Sequence, residues 1–348
     1  MITTILATVF VLGVLIFFHE LGHFLVAKKS GIRVEKFSLG FPPAIISKKY
    51  GETTYAIGLI PLGDYVKMAG ENPYEETTGE PWEFMSKPLW KRFLVIFAGP
   101  FMNFVLAVLV LAGLYFFRGK EVDSVFIGDV EKDSPAAQAG ILPGAKIISL
   151  DGVTIGSFSQ MSEMVSQKAG QSIFVEWEQG GELFADSVGT YIDHPVTVAG
   201  DTIEITRIGV TSKIVFKRMG FFSSIATGFS QSVFYVKKVF EFVWGLISRK
   251  VDVSGIGGPI VIGKYAGATA RAGFALLLEF LALLSVNLAV LNVLPIPVLD
   301  GGHLLFLLIE RIKGSPLSIK SRLVAQQIGM AFLIILIIFV TYNDIAHH

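Results

Sequence analysis

The pentapeptide His-Glu-Leu-Gly-His at positions 19–23 lies inside a long apolar run, and this placement constrains the fold more than any other feature. Apolar residues precede the motif from Ile2 onward, and Phe-Leu-Val-Ala follows it before Lys28 and Lys29. An apolar stretch of this length is typical of a transmembrane helix. Ionisable side chains are costly in hydrocarbon, so a cluster of them within a span indicates a functional site.

The spacing of the motif predicts a metal site. On a helix, residues i and i+4 share a face, so His19 and His23 can bind one ion from successive turns. Glu20 lies next to the first ligand and can serve as general base for a water molecule. A zinc ion would lower the pKa of that water to roughly 7 and allow attack on a peptide carbonyl. The alternative, two unrelated buried histidines, leaves their desolvation cost unexplained.

Composition agrees with a membrane protein that has a soluble part. The chain has 348 residues, of which 52% are hydrophobic and only 17% charged. Lys+Arg and Asp+Glu both total 29, so net charge does not indicate nucleic-acid binding. Because the sequence has no Cys, a metal must be held by His and carboxylate groups.

We predict a polytopic α-helical membrane protein with four transmembrane helices, a membrane-associated β-hairpin or sheet and one extracytoplasmic α+β domain. The expected segments are a first transmembrane helix at 1–30, a membrane-reentrant β region at 31–92, a second transmembrane helix at 93–117, the α+β domain at 121–215, an amphipathic helix at 221–250, a third transmembrane helix with the following motif at 273–310 and a fourth transmembrane helix at 324–343.

Basic residues predict the orientation in the membrane. Lys and Arg are concentrated in the 28–92 connection and between the third and fourth spans. The positive-inside rule puts both loops in the cytoplasm and both termini outside. At about 1.5 Å per residue, the two histidines then lie roughly 8–14 Å inside the cytoplasmic boundary.

The 31–92 connection contains strand-like runs interrupted by Gly and Pro. We expect it to form a sheet that dips towards the metal site, where protein or water covers its backbone. A substrate strand could add to such a sheet near residues 55–68. The alternative is a cytosolic hairpin that only stabilises the fold.

The segment 121–215 resembles a PDZ domain. Ser134-Pro135-Ala136-Ala137 enters a short helix, and Gly140 begins the turn into the next strand. PDZ domains bind extended peptide ends by strand addition, although a module that serves only packing is equally compatible with the pattern.

Apolar residues recur at three- and four-residue spacing after position 221, which predicts an amphipathic helix on the outer membrane surface. The same helix could pack instead against the preceding domain.

A third metal ligand is expected near the end of the third span, where Pro295 and Pro297 interrupt the helix. Asp300 is the favoured ligand, because its charge balances the metal and two glycines follow it. His303 is the rival ligand. Asn292 can donate hydrogen bonds to substrate or to the developing oxyanion, or it can satisfy carbonyls freed by the prolines.

These motifs resemble those of the site-2 proteases, which are intramembrane zinc metalloproteases. The resemblance rests on HELGH in the first span and NVLPIPVLDGGH at the third, and IPLGDYVKMAGE and AGPFMNFVLA point to the bacterial RseP branch. It implies zinc ligation by His19, His23 and Asp300, catalysis by Glu20 and substrate handling by Asn292. One predicted PDZ domain departs from the two that many RseP-like chains carry.

The resemblance implies cleavage of single-pass membrane proteins, such as trimmed anti-sigma factors or signal-peptide remnants. The lipid bilayer and a peptide end at the PDZ domain are the other expected partners, without nucleic acid. The alternatives are a metal-ion transporter and a non-enzymatic PDZ scaffold. Neither explains a glutamate in register with the two histidines.

Overall fold

The computed structural model describes residues 1–60, 65–71, 78–195, 202–250 and 257–347. It divides the chain into two compact units. Residues 1–116 and 220–347 form the helical unit, and residues 117–219 form the α+β unit. Residues 61–64 of the predicted substrate-binding sheet lie outside the described part of the chain.

Within the described residues, the helical unit begins with α1 and ends with α9. The elements of the whole chain follow in this order: α1 (Ile2–Lys29), β1 (Val34–Leu39), β2 (Phe41–Tyr50), β3 (Thr53–Ile60), β4 (Tyr65–Met68), α2 (Leu89–Phe117), β5 (Lys120–Val122), β6 (Ile127–Val130), α3 (Pro135–Gln138), β7 (Lys146–Leu150), β8 (Val153–Thr154), α4 (Phe158–Ser166), β9 (Ser172–Gln179), β10 (Glu182–Gly189), β11 (Tyr191–Asp193), β12 (Ile205–Arg207), β13 (Val210–Ser212), β14 (Val215–Lys217), α5 (Phe221–Ile247), α6 (Pro259–Ala272), α7 (Phe274–Val293), α8 (Asp300–Lys313) and α9 (Ile319–His347).

Four of the described helices are long and apolar enough to cross a membrane: α1, α2, α7 and α9. They coincide with the four spans expected from the sequence. The third of them stops at Val293, since Pro295 and Pro297 cannot donate the backbone hydrogen bonds that a continuing helix needs. The chain resumes helical structure at Asp300, so the predicted break separates two distinct helices.

Close helix crossings in the helical unit occur at glycines. A Cβ on Gly22 of α1 would lie 2.3 Å from the carbonyl oxygen of Ala98 in α2. A Cβ on Gly267 of α6 would lie 2.3 Å from the hydroxyl of Thr4 in α1. The absence of a side chain lets these backbones approach, which is the usual arrangement where transmembrane helices pack tightly. Helices α1, α2, α6 and α7 thereby share one apolar core: Ala7, Val11, Leu15, Leu106, Ala266, Leu277 and Leu281.

Helix α5 packs on α2 and α7 through one face. A Cβ on Gly228 would lie 2.8 Å from the backbone nitrogen of Ala112, and Val236 joins a buried cluster with Val286. Phe222 and Trp244 remain exposed at 83% and 67%. An amphipathic helix therefore forms where the sequence predicted one, and its place at the outer membrane surface stays a prediction.

The 31–92 region contains a four-stranded sheet in the order β2-β3-β1-β4. Strands β2 and β3 form an antiparallel hairpin, β1 pairs with β3 in parallel, and β4 pairs with β1 in antiparallel orientation. The ring of Phe37 in β1 lies 5.0 Å from Phe24 and 6.2 Å from Phe17 of α1, measured between centroids. Aromatic packing thus holds the sheet against the helix that carries the motif.

The α+β unit is built on an antiparallel sheet with strand order β10-β9-β7-β8. Ser134 caps α3 and Ser157 caps α4, because each hydroxyl accepts a hydrogen bond from a backbone N–H in the first turn. Its core centres on Trp177, Ile147 and Val175. A cleft lies between α4 and the segment 205–212.

A buried ion pair joins α2 to α8 in the helical unit. The guanidinium of Arg92 donates two hydrogen bonds to the carboxylate of Glu310, at 2.5 and 3.1 Å. Arg92 is 5% exposed and Glu310 6% exposed, while Arg322 of α9 lies 3.7 Å from the same carboxylate. Together with Arg322, the pair therefore connects the start of α2 to α8 and α9.

Removal of the carboxylate alone should destabilise the protein strongly. We expect Glu310→Ala to lower the free energy of unfolding by about 3–5 kcal/mol, because it leaves buried cations without a partner. The measurement is denaturation in detergent micelles. The double variant Arg92→Met with Glu310→Leu is the control and should lose less, since only Arg322, and not the more deeply buried Arg92, is then left without the carboxylate. An equal loss in both variants would contradict this account.

Candidate metal centre

Three potential ligand atoms converge between α1 and the start of α8. His19 Nε2 lies 3.2 Å from His23 Nε2 and 3.1 Å from Asp300 Oδ2. The distance from His23 Nε2 to Asp300 Oδ2 is 3.5 Å. The two histidines are only 9% and 8% exposed. The structure therefore brings together the two histidines of the motif and the favoured third ligand.

The arrangement fits a tetrahedral metal ion. Zinc binds nitrogen and oxygen at about 2.0–2.2 Å, which separates the ligand atoms of a tetrahedral site by about 3.3–3.6 Å. The three observed separations lie close to that range. Asp300 Oδ2 is buried and receives no hydrogen bond from the described residues, although both imidazoles lie near it. A cation between these three atoms would satisfy the carboxylate oxygen.

Helix α2 orients the imidazole of His23. The Nδ1 atom of this ring lies 2.8 Å from the carbonyl oxygen of Val95. Since a carbonyl only accepts, Nδ1 carries the proton and donates it. The Nε2 atom then presents its lone pair to the centre of the site, as a metal-ligating histidine requires.

A glycine of α2 makes room for both rings. A Cβ on Gly99 would lie 2.3 Å from His23 Nε2 and 2.8 Å from His19 Cε1. Gly99 follows Val95 by one helical turn and therefore shares its face of α2. This face of α2 therefore packs directly against both imidazoles.

The two glycines after Asp300 let α8 begin tightly against the preceding break. A Cβ on Gly301 would lie 2.0 Å from the carbonyl oxygen of Leu294, and a Cβ on Gly302 would lie 2.4 Å from that of Ile296. Any side chain at either position would push the start of α8 outward. The Gly-Gly pair thus determines how closely Asp300 approaches α1.

A cavity of about 290 Å³ opens onto the three ligand atoms. Glu20 lines it from α1, and His303 lines it from α8 but is not part of the convergent group. Asn292 is half-buried near the end of α7 and is not among the described residues that line the cavity. The remaining lining residues come mainly from β4, the segment before α2, and α9: Tyr65, Val66, Met68, Glu71, Phe84, Met85, Arg322 and Gln326.

Glu71 adds a third carboxyl group to the cavity wall, besides those of Glu20 and Asp300. Its side chain is open to the cavity rather than packed in a core. Desolvation by the surrounding protein raises the pKa of Glu71 to about 7, although the nearby His23 opposes this shift.

Sequence reasoning did not identify the contributions of α2. Val95 acts through its backbone carbonyl, which leaves no signal in the side chain. Gly99 and the fully buried Asn103 follow at four-residue spacing in the second span. The sequence did contain one signal of this contribution: Asn103 is a polar residue inside an apolar span, one helical turn after Gly99.

The chain is similar to known metalloproteases over nearly its whole length. A model of the family described as "Peptidase family M50" matches residues 7–336. A relative from Agrobacterium fabrum, whose name places it among zinc metalloproteases, is 32% identical, covering 97% of this chain and 94% of its own. Zinc metalloprotease RasP of Shouchella clausii is 30% identical, covering 99% of both chains. Regulator of sigma-W protease RasP of Bacillus subtilis is 29% identical, covering 99% of this chain and 98% of its own.

Solved structures are similar to a smaller part of the chain. The PDZ domain of an SdrC-like protein from Listeria monocytogenes is 21% identical, with a TM-score of 0.21. The match covers 27% of this chain and 90% of that domain.

Addition of one methyl group at Gly99 should damage the site. We expect Gly99→Ala to lower metal affinity by about ten-fold or more, because its Cβ would displace both imidazoles from α8. Metal content and competition with a chelator measure the effect. Gly113→Ala is the matched control on the same helix, where a Cβ would meet no atom within 4 Å. Equal metal affinity in the two variants would refute the role of Gly99.

Proposed function

The chain belongs to peptidase family M50 and is a zinc metalloprotease of the site-2 type, and we propose that it cleaves single-pass membrane proteins within or near their transmembrane segments. The observation that carries the proposal is the convergence of His19, His23 and Asp300 on one point beside Glu20. These residues lie on helices apolar enough to cross a membrane, or directly after one.

We assign the three converging side chains to zinc. His19 and His23 hold it through Nε2, and Asp300 holds it through Oδ2. When bound, zinc supplies Lewis acidity, which makes water more acidic and a peptide carbonyl more electrophilic near neutral pH. Three protein ligands beside a cavity are what a catalytic rather than a structural zinc site would require.

Glu20 is the proposed general base. It follows His19 directly on α1 and lines the cavity onto which the ligand atoms open. Its carboxylate takes a proton from the attacking water and delivers it to the leaving amine. Asn292 remains a candidate for contacting substrate. Its half-buried position at the end of α7 favours an indirect role over contact with the reacting carbonyl.

We propose that an extended substrate adds to strand β4. This strand lies at one end of the sheet, and among the described strands it pairs with β1 alone. Tyr65, Val66 and Met68 of β4 also line the catalytic cavity. A peptide paired along this edge would therefore pass the zinc ligands as a strand, with its backbone hydrogen bonds satisfied.

The α+β unit is proposed to be a PDZ domain that receives a peptide end in the cleft between α4 and residues 205–212. Met161 and Val165 of α4 and Ile208 opposite give this cleft an apolar lining. Orientation follows from the basic loops, with both termini and the PDZ domain outside the inner membrane and the zinc site near the cytoplasmic side.

Two substitutions separate metal binding from catalysis. Glu20→Gln should lower cleavage of a trimmed single-pass substrate in detergent by about 10²–10⁴-fold and retain zinc, because only the base is lost. Asp300→Ala should lose zinc and activity together. His303→Ala is the control for metal content and should retain zinc, since His303 is outside the convergent group. Persistent cleavage by a folded Glu20→Gln protein would sink the assignment of the base.

Substrate helicity should limit the rate. A helix must unwind before it can pair with β4, so a glycine→leucine change near the cut site should slow cleavage. Glycine is roughly 1 kcal/mol less favourable in a helix than good helix formers, which corresponds to about five-fold in rate. The same change far from the cut site serves as control. Equal rates for both substrates would contradict entry as a strand.

A further inference from the structure

A buried asparagine of α2 lies against the first histidine of the motif. Asn103 is 0% exposed, and its Nδ2 atom lies 3.3 Å from His19 Nδ1. The Oδ1 atom of the same amide is buried without a hydrogen-bond partner among the described residues. A buried carbonyl oxygen without a donor is costly, so this arrangement calls for an explanation.

The chemistry of the imidazole supplies the explanation. For His19 Nε2 to offer a lone pair to a metal, the proton of the neutral ring must reside on Nδ1. An Nδ1–H that faces the Nδ2 hydrogens of Asn103 places two donors against each other. Rotation of the amide by 180° replaces Nδ2 with the orphaned Oδ1, which then accepts the Nδ1–H hydrogen bond. The rotation breaks no other side-chain hydrogen bond of Asn103 within the described part of the chain.

We propose that Asn103 is a positioning residue, whose side-chain carbonyl accepts a hydrogen bond from His19 Nδ1–H and thereby holds His19 Nε2 towards the metal. The proposal rests on the zinc site assigned above to His19, His23 and Asp300. Second ring nitrogens of metal-bound histidines commonly donate to a carbonyl or carboxylate, which selects the tautomer and the ring orientation.

The same helix provides the equivalent contact for the second histidine. Val95 accepts from His23 Nδ1 through its backbone carbonyl, at 2.8 Å. Val95, Gly99 and Asn103 are spaced by four residues and form one stripe on α2. One face of one helix therefore supports both imidazoles, with a glycine between the two acceptors.

The backbone of Asn103 is anchored from the opposite side. Ser285 of α7, which is also 0% exposed, donates a hydrogen bond from Oγ to the carbonyl oxygen of Asn103 at 2.7 Å. This contact restrains α2 without involving the amide side chain. Ser285 therefore offers a control that perturbs the same buried region but leaves the acceptor for His19 in place.

The test measures zinc affinity and the histidine tautomer in the full-length protein in detergent. Zinc is removed with a chelator, and its rebinding is followed by competition with a fluorescent chelator. Histidine labelled with ¹⁵N reports the protonated nitrogen of His19, assigned by its loss in His19→Gln. Neither readout depends on proteolysis.

We expect Asn103→Leu to lower zinc affinity by about 10–100-fold and to remove the preference of His19 for a protonated Nδ1. Asn103→Asp keeps an acceptor oxygen and should retain both the tautomer and most of the affinity. Ser285→Ala should bind zinc as the wild type does.

Wild-type affinity and an unchanged His19 signal in Asn103→Leu would overturn the proposal. If Asn103→Asp lost as much zinc affinity as Asn103→Leu, the proposal would also be overturned, because the acceptor oxygen would then be irrelevant. If Asn103→Leu does not fold, as judged by melting of the metal-free protein, the proposal is tested by comparing the zinc affinity and the His19 tautomer of Asn103→Asp with those of the wild type. A wild-type protein that binds no zinc would instead refute the zinc site itself.

Discussion

The meeting of two imidazole nitrogens and a carboxylate oxygen within 3.1–3.5 Å of one another is the constraint on which the helical unit depends. These groups lie in nearly dry surroundings, where an uncompensated carboxylate and facing lone pairs are costly. A bound cation turns the same arrangement into an attractive one. The helix crossings that create the site must therefore be close, and a metal bound there would stabilise them.

Small residues make these crossings possible. Gly22 lets α1 approach α2, Gly99 leaves space for the imidazoles, and the Gly301–Gly302 pair lets α8 start against the proline break. Backbone or an imidazole ring occupies the space beside each glycine, so a single added methyl group would collide with those atoms. The backbone carbonyl of Val95 in α2 then orients the ring of His23.

Access to the site is shaped by elements that are not helical. Strand β4 and the segment before α2 line the cavity, and the sheet is held to α1 by Phe37 and its aromatic neighbours. Strand β4 and the three converging side chains thus line the same cavity. The ion pair of Arg92 with Glu310 joins α2 to α8 near this cavity. The contacts that hold these two helices together therefore also support the cavity wall.

The sequence by itself determined the four apolar helices, the shared face of His19 and His23 and the break after α7, because these follow from local periodicity and from proline. It also singled out Asp300, but the exclusion of His303 from the ligand group required the observed start of α8. The parallel pairing of β1 with β3 and the contact of Asn103 with His19 were decided only by the tertiary structure. These join segments distant in sequence, and their geometry depends on how helices cross and pack, which no local pattern encodes.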